Sequence, residues 1–329
     1  MPHALIFPDV NEVELGEYDV GEPGPGEVRL RVLASGVSPG TEMRIMAGKE
    51  YGDRSFPEAA GYALCGEVEA VGEGVELAVG QRVVAQRHHG EPPFVGSHLS
   101  HAVCPAAGCV PVPGHVSDHA AALARVLSIG HRGARLAAPK VGETCAVIGL
   151  GIIGLAAALS LRLTGARVAC FNRSADRVEV ARACGLDAHA MTGDLAERVK
   201  EVLPGGADVL IDATGHPPTA AAAVGAIRDL GWDDGDRGSA RYVVLGSQTG
   251  SHEVPYFPAF YRELSVLFPR YTDNRDAAEV VNLLASGAID VGPLLKDAVF
   301  SPRDAAEVYA ALRERRPGLV TAVFDWTSL

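Results

Sequence analysis

The 329-residue chain lacks the sequence features that mark membrane proteins and nucleic-acid-binding proteins. Its formal net charge is -12 and it has no run of basic residues, which argues against nucleic acid or an anionic membrane as a partner. No segment reaches the roughly 18 uncharged apolar residues that a membrane-spanning helix needs. The N-terminus has neither the basic segment nor the long apolar core of a signal peptide. We therefore expect a cytoplasmic protein.

Cysteine is scarce, and no two cysteines stand in a Cys-x-x-Cys pair. The six cysteines lie at positions 65, 104, 109, 145, 170 and 184. Cys145 and Cys170 fall in apolar segments that predict core strands. Reduced, buried thiols in a cytoplasmic protein are the simplest interpretation of this pattern.

The most informative segment is Thr144–Leu155, which reads TCAVIGLGIIGL. An apolar strand leads into Gly-x-Gly-x-x-Gly and an apolar helix follows, which is the context that a dinucleotide-binding fingerprint requires. Gly149 permits a tight turn, Gly151 lets the backbone approach a pyrophosphate, and Gly154 lets the helix pack against the strand. The free N–H groups at the start of the helix then face the phosphates.

The pattern of the chain changes at about residue 142. Before that point, short strands such as Val28–Ala34 alternate with turns rich in Gly and Pro such as Glu22–Gly26, which predicts a barrel-like β domain. Beyond it, strands and helices alternate, which predicts a parallel, doubly wound sheet. The sequence therefore predicts an α/β protein with two domains.

The choice of nicotinamide cofactor is read at the end of the second strand of the predicted sheet. NAD-specific sites place an acidic residue there, about 20 residues past the glycines, to bind the ribose 2′-hydroxyl. This chain has Asn172, followed by Arg173 and Ser174, with Arg177 one turn later. A neutral residue removes the repulsion against a 2′-phosphate, while the Arg supplies charge and the Ser a hydroxyl donor. The segment therefore predicts NADP(H).

Further segments carry a family resemblance: Gly36–Glu42 (GVSPGTE), Gly61–Gly72 (GYALCGEVEAVG), Gly80–Val84 (GQRVV), Asp212–Gly215 and Val244–Gly246. With them, the chain resembles the medium-chain dehydrogenase/reductase superfamily along nearly its whole length. The first loop is most similar to the branch that includes the bacteriochlorophyllide dehydrogenases.

This resemblance implies a GroES-like β-barrel catalytic domain, residues 1–124 and 297–329, with a Rossmann dinucleotide-binding domain, residues 125–296, inserted between its two parts. It also implies a substrate held between the domains. The nicotinamide is expected near Gly246 and Ser247, beside Thr214 and Gly215. The predicted cofactor-binding residues are Gly149, Gly151, Ile152, Ile153, Gly154, Asn172, Arg173, Ser174, Arg177, Thr214, Gly215, Gly246 and Ser247.

Many members of that superfamily hold a catalytic zinc ion through Cys, His and a third Cys or Glu. The first position here is Ser38 or Pro39, the His position is Tyr62, and the third position is Ala124 or Arg125. No thiol or imidazole ligand remains, and a cation would repel zinc. The four-cysteine loop of the structural zinc site is also missing, so we expect no zinc of either kind.

One other run looks like a set of metal ligands, His98-x-x-His101-x-x-Cys104. Side chains alternate along a strand, so His98 and Cys104 would face one way and His101 the other. The spacing suits a helix rather than the predicted strand. We therefore predict no metal here.

By resemblance, Ser38, Thr41, Tyr62 and Arg125 surround the position that zinc has vacated. Thr41 stands where zinc-dependent members have the Ser or Thr that relays a proton, and Tyr62 is able to donate a hydrogen bond or a proton. Arg125 is a fixed cation suited to orienting an anionic or carbonyl group of the substrate. Two other interpretations stay open: Tyr62 as a space-filling replacement for the metal site, and Arg125 as an ordinary residue of a surface helix.

The favoured function is a zinc-independent NADP(H)-dependent oxidoreductase of the alcohol dehydrogenase or ketone reductase type, acting on the carbonyl/alcohol group of a small organic substrate such as a secondary metabolite. Reduction of a conjugated C=C bond or a C=N bond is the first alternative. The Asn-x-x-Asp-x-Tyr pattern of many enoyl and quinone reductases is absent from Ser38–Met43, which argues against C=C reduction. A non-redox or regulatory NADP-binding protein is the second alternative. By resemblance, the strand Leu264–Phe268 predicts a homodimer.

Overall fold

The structure is a computed structural model, and it describes residues 1–49, 56–88, 95–216, 219–230, 238–248, 251–270 and 273–329. The chain divides into two compact units. The first comprises Met1–Val126 and Asp273–Leu329, and the second Leu127–Thr272. No helix in the described part of the chain is long and apolar enough to cross a membrane.

The elements of the first unit before the second unit begins are β1 (His3–Phe7), β2 (Glu14–Glu17), β3 (Glu27–Gly36), α1 (Pro39–Met46), β4 (Glu58–Ala59), β5 (Leu64–Val71), β6 (Arg82–Ala85), β7 (His101–Pro105), a 3-10 helix (Ala106–Gly108), β8 (Val110–Pro111) and α2 (Asp118–Ala122). Helix α3 (Ala124–Ala137) follows.

The second unit then contains β9 (Thr144–Ile148), α4 (Ile152–Arg162), β10 (Arg167–Asn172), α5 (Ala175–Ala183), β11 (Ala188–Ala190), α6 (Leu195–Val202), β12 (Val209–Asp212), α7 (Thr219–Ala226), β13 (Arg241–Val244), α8 (Tyr256–Phe260) and β14 (Ser265–Leu267). The chain returns to the first unit with α9 (Asn274–Ala285), α10 (Gly292–Leu295), β15 (Val299–Phe300), a 3-10 helix (Pro302–Asp304), α11 (Ala305–Arg313), β16 (Val323–Asp325) and a last 3-10 helix (Trp326–Ser328).

Strand β3 is the centre of the first unit. It pairs in antiparallel fashion with β5, β7 and β16, and the order over the described residues is β15-β16-β3-β5-β6-β8 with β7 also on β3. The alternating residues Val28, Leu30 and Val32 are buried, as the period of a half-buried strand requires. Because β16 pairs with the end of β3, the C-terminal segment completes the sheet that the N-terminal segment begins.

The second unit is a parallel sheet whose strand order, over the described residues, is β11-β10-β9-β12-β13-β14. The order reverses between β9 and β12, where Ile148 pairs with Asp212. Ligands of open α/β sheets bind beyond the carboxyl ends of the strands at such a reversal. The α/β fold with a GroES-like domain and a parallel Rossmann sheet is therefore confirmed, and its switch point lies beside the predicted glycine loop.

One predicted boundary differs from the structure. The sequence interpretation returns the chain to the first domain at residue 297, whereas the structure returns it at residue 273. The reason is that α9 packs on α2 and β8, and the His115 imidazole bonds the Ala285 carbonyl at 2.9 Å. Helices α2 and α3 are separated at Leu123, and Ser117 caps α2, its Oγ accepting the Ala120 N–H at 3.2 Å.

Candidate functional site

The glycine loop joins β9 to α4 in the second unit. Gly149 has φ of 88°, in the left-handed region that favours glycine. A Cβ on Gly154 would lie 1.9 Å from the carbonyl oxygen of Gly149, so the turn and the helix leave no room for a side chain. A Cβ on Gly151 would meet nothing within 4 Å. The first and third glycines are thus required by the fold itself, and the second keeps open the space that a pyrophosphate would need.

Asn172, at the end of β10, braces this loop. Its Oδ1 accepts the N–H of Leu150 at 3.0 Å, and its Nδ2 donates to the carbonyl of Ser174 at 3.4 Å. Arg173 and Ser174 are exposed. The half-buried Arg177 lies 3.8 Å from the carboxylate of Asp176. The amide of Asn172 therefore holds the phosphate loop, and Arg173 is the exposed cation next to it.

The ends of β12 and β13 meet through two glycines. A Cβ on Gly246 would lie 2.1 Å from the backbone nitrogen of Gly215, which itself has φ of 63°. A Cβ on Gly149 would lie 3.0 Å from the backbone nitrogen of Thr214. The structure thus gathers the predicted residues of three segments at one edge of the sheet, and Thr214 and Ser247 are exposed there.

A buried carboxylate that the sequence reasoning missed holds this edge in place. Asp212 accepts the N–H and the hydroxyl of Thr214 on Oδ1, at 2.8 and 2.6 Å, and the phenol of Tyr242 on Oδ2 at 2.9 Å. The Tyr242 oxygen also lies 3.1 Å from Nε2 of His252, whose other ring nitrogen bonds Gln248. Burial raises the pKa of Tyr242, and the carboxylate raises it further. The spacing Asp-x-Thr is the available sequence signal, since Asp often bonds the backbone two residues on.

In the first unit, three of the predicted catalytic residues lie together at the start of α1. The phenol of Tyr62 donates to Oγ of Ser38 at 2.7 Å, and the side chain of Thr41 also hydrogen-bonds the phenol. Ser38 is buried, whereas Thr41 and Tyr62 are half-buried. Burial raises the pKa of Tyr62, and the nearby Glu42 carboxylate adds to this, while the bonds to Ser38 and Thr41 oppose it. The phenol therefore keeps its proton at neutral pH.

Beneath these hydroxyls lies a buried carboxylate, Glu42, which the sequence reasoning did not single out. Its side chain is 0% exposed. Oε1 accepts the backbone N–H of Ser38 at 2.7 Å, while Oε2 accepts Nε2–H of His98 at 3.0 Å and the phenol of Tyr309 at 2.7 Å. Burial and this carboxylate raise the pKa of Tyr309. Glu42 therefore fixes the backbone from which the Ser38 hydroxyl projects.

His98 extends the same network to the C-terminal segment. Its Nδ1 lies 2.8 Å from Oγ of Ser35, and Oγ of Ser35 accepts Nε1–H of Trp326 at 2.8 Å. The tautomer with a proton on Nε2 satisfies every one of these partners, because Ser35 then donates to Nδ1. The network is closed by residues that are far apart in sequence.

The residues of the run from His98 to Cys104 bond to different partners. His98 bonds Glu42 and Ser35, the Nδ1 of His101 lies 3.0 Å from Oγ of Ser100, and Sγ of Cys104 lies 3.8 Å from Sγ of Cys109. These partners account for the three side chains without requiring a shared ion.

Arg125 lies at the start of α3 with 2% of its surface exposed. Its guanidinium donates to the carbonyl of Gly108 at 2.5 Å and to Oδ1 of Asn274 at 2.7 Å. These contacts tie the 3-10 helix Ala106–Gly108 and the start of α9 together within the first unit. The predicted role of Arg125 toward a substrate stays a prediction.

Comparison with known proteins decides the family. The model described as alcohol dehydrogenase GroES-like domain matches residues 24–125, and the model described as zinc-binding dehydrogenase matches residues 153–286. A 2-dehydro-3-deoxy-L-galactonate 5-dehydrogenase of Pseudoalteromonas atlantica is 30% identical over 298 residues, covering 83% of this chain and 84% of that protein. The chain belongs to the medium-chain dehydrogenase/reductase superfamily.

Solved structures of the same fold cover nearly the whole of this medium-chain dehydrogenase/reductase. A short-chain alcohol dehydrogenase of E. coli CFT073 in complex with NADH has a TM-score of 0.85 at 23% identity, over 98% of this chain and 99% of that one. A zinc-binding dehydrogenase of Sinorhizobium meliloti 1021 bound to NADP has a TM-score of 0.83 at 22% identity, over 99% of both chains. At these identities the likeness shows the fold alone.

The matches establish the class of activity for this medium-chain dehydrogenase/reductase. The chain is an oxidoreductase of the alcohol and sugar dehydrogenase type, since its relatives in sequence are dehydrogenases. The matches establish the superfamily and the class of activity only. The predictions of NADP, of zinc independence and of the bacteriochlorophyllide-dehydrogenase-like branch therefore stay predictions.

Proposed function

We propose that this chain is a zinc-independent, NADP(H)-dependent oxidoreductase that transfers a hydride between the nicotinamide and a carbonyl or alcohol carbon of a small organic substrate. The observation that carries the proposal is the hydroxyl cluster of Ser38, Thr41 and Tyr62, held by the buried carboxylate of Glu42 where zinc-dependent relatives have metal ligands. The glycine loop of the second unit is proposed to bind the pyrophosphate of the dinucleotide that carries the hydride.

The residues at the zinc-ligand positions of the superfamily do not fit a zinc ion. Pro39 and Ala124 offer no side-chain ligand atom, and the alternatives Ser38 and Arg125 offer a neutral hydroxyl and a cation. Tyr62 has a raised pKa and donates a hydrogen bond to Ser38, so its oxygen is a neutral phenol rather than an anionic ligand. Zinc binds thiolate, imidazole or carboxylate groups. No step of the proposed reaction therefore passes through a metal.

The preference for NADP(H) rests on the end of β10. Because the amide of Asn172 bonds the glycine loop and carries no charge, no carboxylate stands there to repel a 2′-phosphate. Arg173 is exposed beside it and Ser174 adds a hydroxyl. Both residue types suit a phosphate. The relatives of known structure include one with NADH and one with NADP, so the preference is proposed from these residues and not from the relatives.

The bound nicotinamide supplies or accepts the hydride. In the reductive direction the substrate oxygen needs a proton, and the protonated phenol of Tyr62 is proposed to donate it. Ser38 and Thr41 hold the phenol by hydrogen bonds and are proposed to relay a proton from solvent water to the Tyr62 phenolate after transfer, so that each hydroxyl keeps a proton of its own. Glu42 does not exchange protons with the substrate in this scheme. It positions Ser38 through the backbone N–H.

Product analysis with NADPH carrying deuterium in the transferred position tests this function. A panel of ketones, ketoses and aldehydes is reduced, and deuterium on the carbinol carbon is the expected result. Deuterium on the β-carbon of an enone or on an amine carbon would instead support the first alternative, C=C or C=N reduction. Bound NADPH that no member of a broad panel oxidises would support a regulatory or non-redox role.

We also propose a cytoplasmic homodimer. Among the strands that the structure describes, β14 ends one side of the parallel sheet, and large apolar residues near it are exposed: Tyr256 by 70%, Phe257 by 66% and Phe268 by 61%. A sheet edge beside an apolar patch is suited to pairing with a second copy. Light scattering after size exclusion should give twice the mass of one chain, and Phe257→Asp should shift the mass toward that of the monomer.

A further inference from the structure

Two thiols of the first unit lie side by side outside the proposed catalytic group. Sγ of Cys104 is 3.8 Å from Sγ of Cys109. We propose that Cys104 and Cys109 form an oxidisable pair, in which Cys109 reacts with a peroxide and Cys104 then closes an intramolecular disulfide. The proposal is independent of the proposed function, because neither thiol takes part in it.

The backbone brings the two side chains together by a tight turn. Cys104 lies in β7, the 3-10 helix Ala106–Gly108 reverses the chain, and the N–H of Cys109 closes the turn on the carbonyl of Ala106 at 3.0 Å. Sulfur atoms in a disulfide are about 2.0 Å apart. The pair therefore has about 1.8 Å to close, a distance within reach of side-chain rotation.

The two thiols differ in accessibility: one is open to a small oxidant and the other is buried beside it. Cys104 is 3% exposed, whereas Cys109 is half-buried and thus open to a small oxidant. Cys65, Cys145 and Cys170 are buried as single thiols. Cys109 is accordingly the member of the pair that a peroxide reaches first.

The surroundings of the pair lower the pKa of Cys109, whose sulfur also donates to the carbonyl of Pro105 at 3.7 Å. The hydrogen bond from Cys104 lowers the pKa of Cys109, burial opposes this, and the guanidinium of Arg125 lowers it further. Arg125 is held there because it donates to the carbonyl of Gly108, the residue next to Cys109. The bond to Cys109, burial and the charge of Glu27 raise the pKa of Cys104. Cys104 therefore stays a thiol until Cys109 has been oxidised.

The other core thiols show the opposite behaviour. Burial raises the pKa of Cys145 and Cys170 to about 12 and also raises the pKa of Cys65. The thiolate is the reactive form of cysteine. Peroxide is therefore expected to act at Cys109 and to spare Cys145 and Cys170.

The proposed reaction balances in two steps. The thiolate of Cys109 attacks one peroxide oxygen, the S–O bond forms as the O–O bond breaks, and hydroxide leaves to become water. The thiol of Cys104 then attacks the sulfur of the sulfenic acid, the S–S bond forms as the S–O bond breaks, and a second water leaves. Two thiols are oxidised and one hydrogen peroxide molecule is reduced.

The test uses the full-length protein, hydrogen peroxide, and mass spectrometry after trypsin. Residues 88–125 form one tryptic peptide that contains Cys104, Cys109 and no other cysteine. After brief peroxide treatment and alkylation, this peptide should have lost two hydrogen atoms and should take up the alkylating reagent only after reduction. The peptides with Cys145 and Cys170 should stay fully alkylated and serve as internal controls.

Two variants and one rate sharpen the test. Cys109→Ser should abolish the disulfide, whereas Cys104→Ser should leave a sulfenic acid on Cys109 that dimedone traps. Without peroxide, iodoacetamide should alkylate Cys109 at least about tenfold faster than Cys145 or Cys170, because thiolate content rises about tenfold for each unit by which the pKa falls. The proposal is overturned if Cys109 reacts no faster than these two, or if peroxide leaves residues 88–125 in the dithiol form.

Discussion

The candidate site of the second unit is built from backbone groups, whereas that of the first unit is built from side chains. In the second unit the cradle is backbone, formed by Gly149, Gly154 and the contact of Gly215 with Gly246. In the first unit the site is a chain of side chains in which Glu42 supports Ser38 and Tyr62. The backbone site requires only that its positions carry no side chain, which restricts them to glycine. The side-chain network instead requires that every buried donor has a hydrogen-bond acceptor, so each residue in it depends on the others.

The largest loss of stability is therefore expected in the first unit, when the buried carboxylate of Glu42 is removed. In Glu42→Ala, the N–H of Ser38, the imidazole of His98 and the phenol of Tyr309 lose their buried acceptor. We expect the free energy of unfolding to fall by about 3 to 5 kcal/mol. Denaturant titration measures the loss. Glu69→Ala is the matched control, because Glu69 pairs with Arg29 near the surface and should cost under about 1 kcal/mol. Equal losses would contradict the account of a buried network.

The next largest effect is expected for the proposed proton donor. Tyr62→Phe should lower kcat for carbonyl reduction by about 100-fold or more while the fold stays intact. Tyr18→Phe is the control, since the Tyr18 phenol is also buried, has a raised pKa and bonds the carbonyl of His101 in the same unit. A loss of the same size in both variants would mean that the effect comes from packing.

The raised pKa of Tyr62 gives this prediction a pH signature. A phenol has an ordinary pKa of about 10, and burial moves the pKa of Tyr62 upward, so the proton-donating form persists to higher pH in the folded protein. The reduction rate, measured with saturating NADPH, should therefore show no loss from Tyr62 between neutral pH and about pH 10. A fall centred near neutral pH that disappears in Tyr62→Phe would contradict it.

In the second unit, two neighbouring glycines separate stability from cofactor binding. Gly154→Ala places a Cβ against the Gly149 carbonyl and should cost about 1 to 3 kcal/mol of stability. In Gly151→Ala the new methyl group meets no protein atom within 4 Å, so stability should hold while NADPH binding weakens about tenfold or more. Thermal unfolding and fluorescence titration measure the two quantities. If Gly151→Ala lost as much stability as Gly154→Ala, the space beside Gly151 would be needed by the fold itself, and the proposal that it holds a phosphate would be contradicted.

The smallest expected effect concerns cofactor choice. Arg173→Ala should weaken NADPH binding by about tenfold, the loss of a charge-assisted hydrogen bond of about 1.5 kcal/mol, and should leave NADH binding unchanged. Arg182→Ala, on the same helix and paired with Glu179, is the control and should leave the binding of both cofactors unchanged. Tighter binding of NADH than of NADPH by the wild type, with no response to Arg173→Ala, would contradict the NADP preference.

The comparison of the units also explains what the sequence could predict. The glycine loop and the strand order followed from local patterns, because only glycine fits at Gly149 and Gly154 and because alternating strands and helices form a parallel sheet. The meeting of Gly215 with Gly246 was expected from the family resemblance, and the structure shows the close contact that requires both glycines.

The polar networks were not predictable in the same way. Glu42 bonds Tyr309 across 267 positions, and Ser35 bonds Trp326 across 291 positions. No periodicity connects residues so distant, and Glu42 in sequence is an ordinary acidic residue in the first turn of a helix. Similarly, Arg125 was predicted from its family position alone, and its bond to Asn274 spans 149 positions.

We propose that hydroxyl groups stand at the positions where the family resemblance implies zinc ligands, and that these hydroxyls suffice for the reaction. The most direct measurement is the metal content of purified, active protein together with its NADPH-dependent turnover before and after dialysis against a chelator. The account predicts no stoichiometric zinc and unchanged turnover after dialysis. About one zinc per chain, with turnover lost on chelation and regained when zinc is added back, would contradict it.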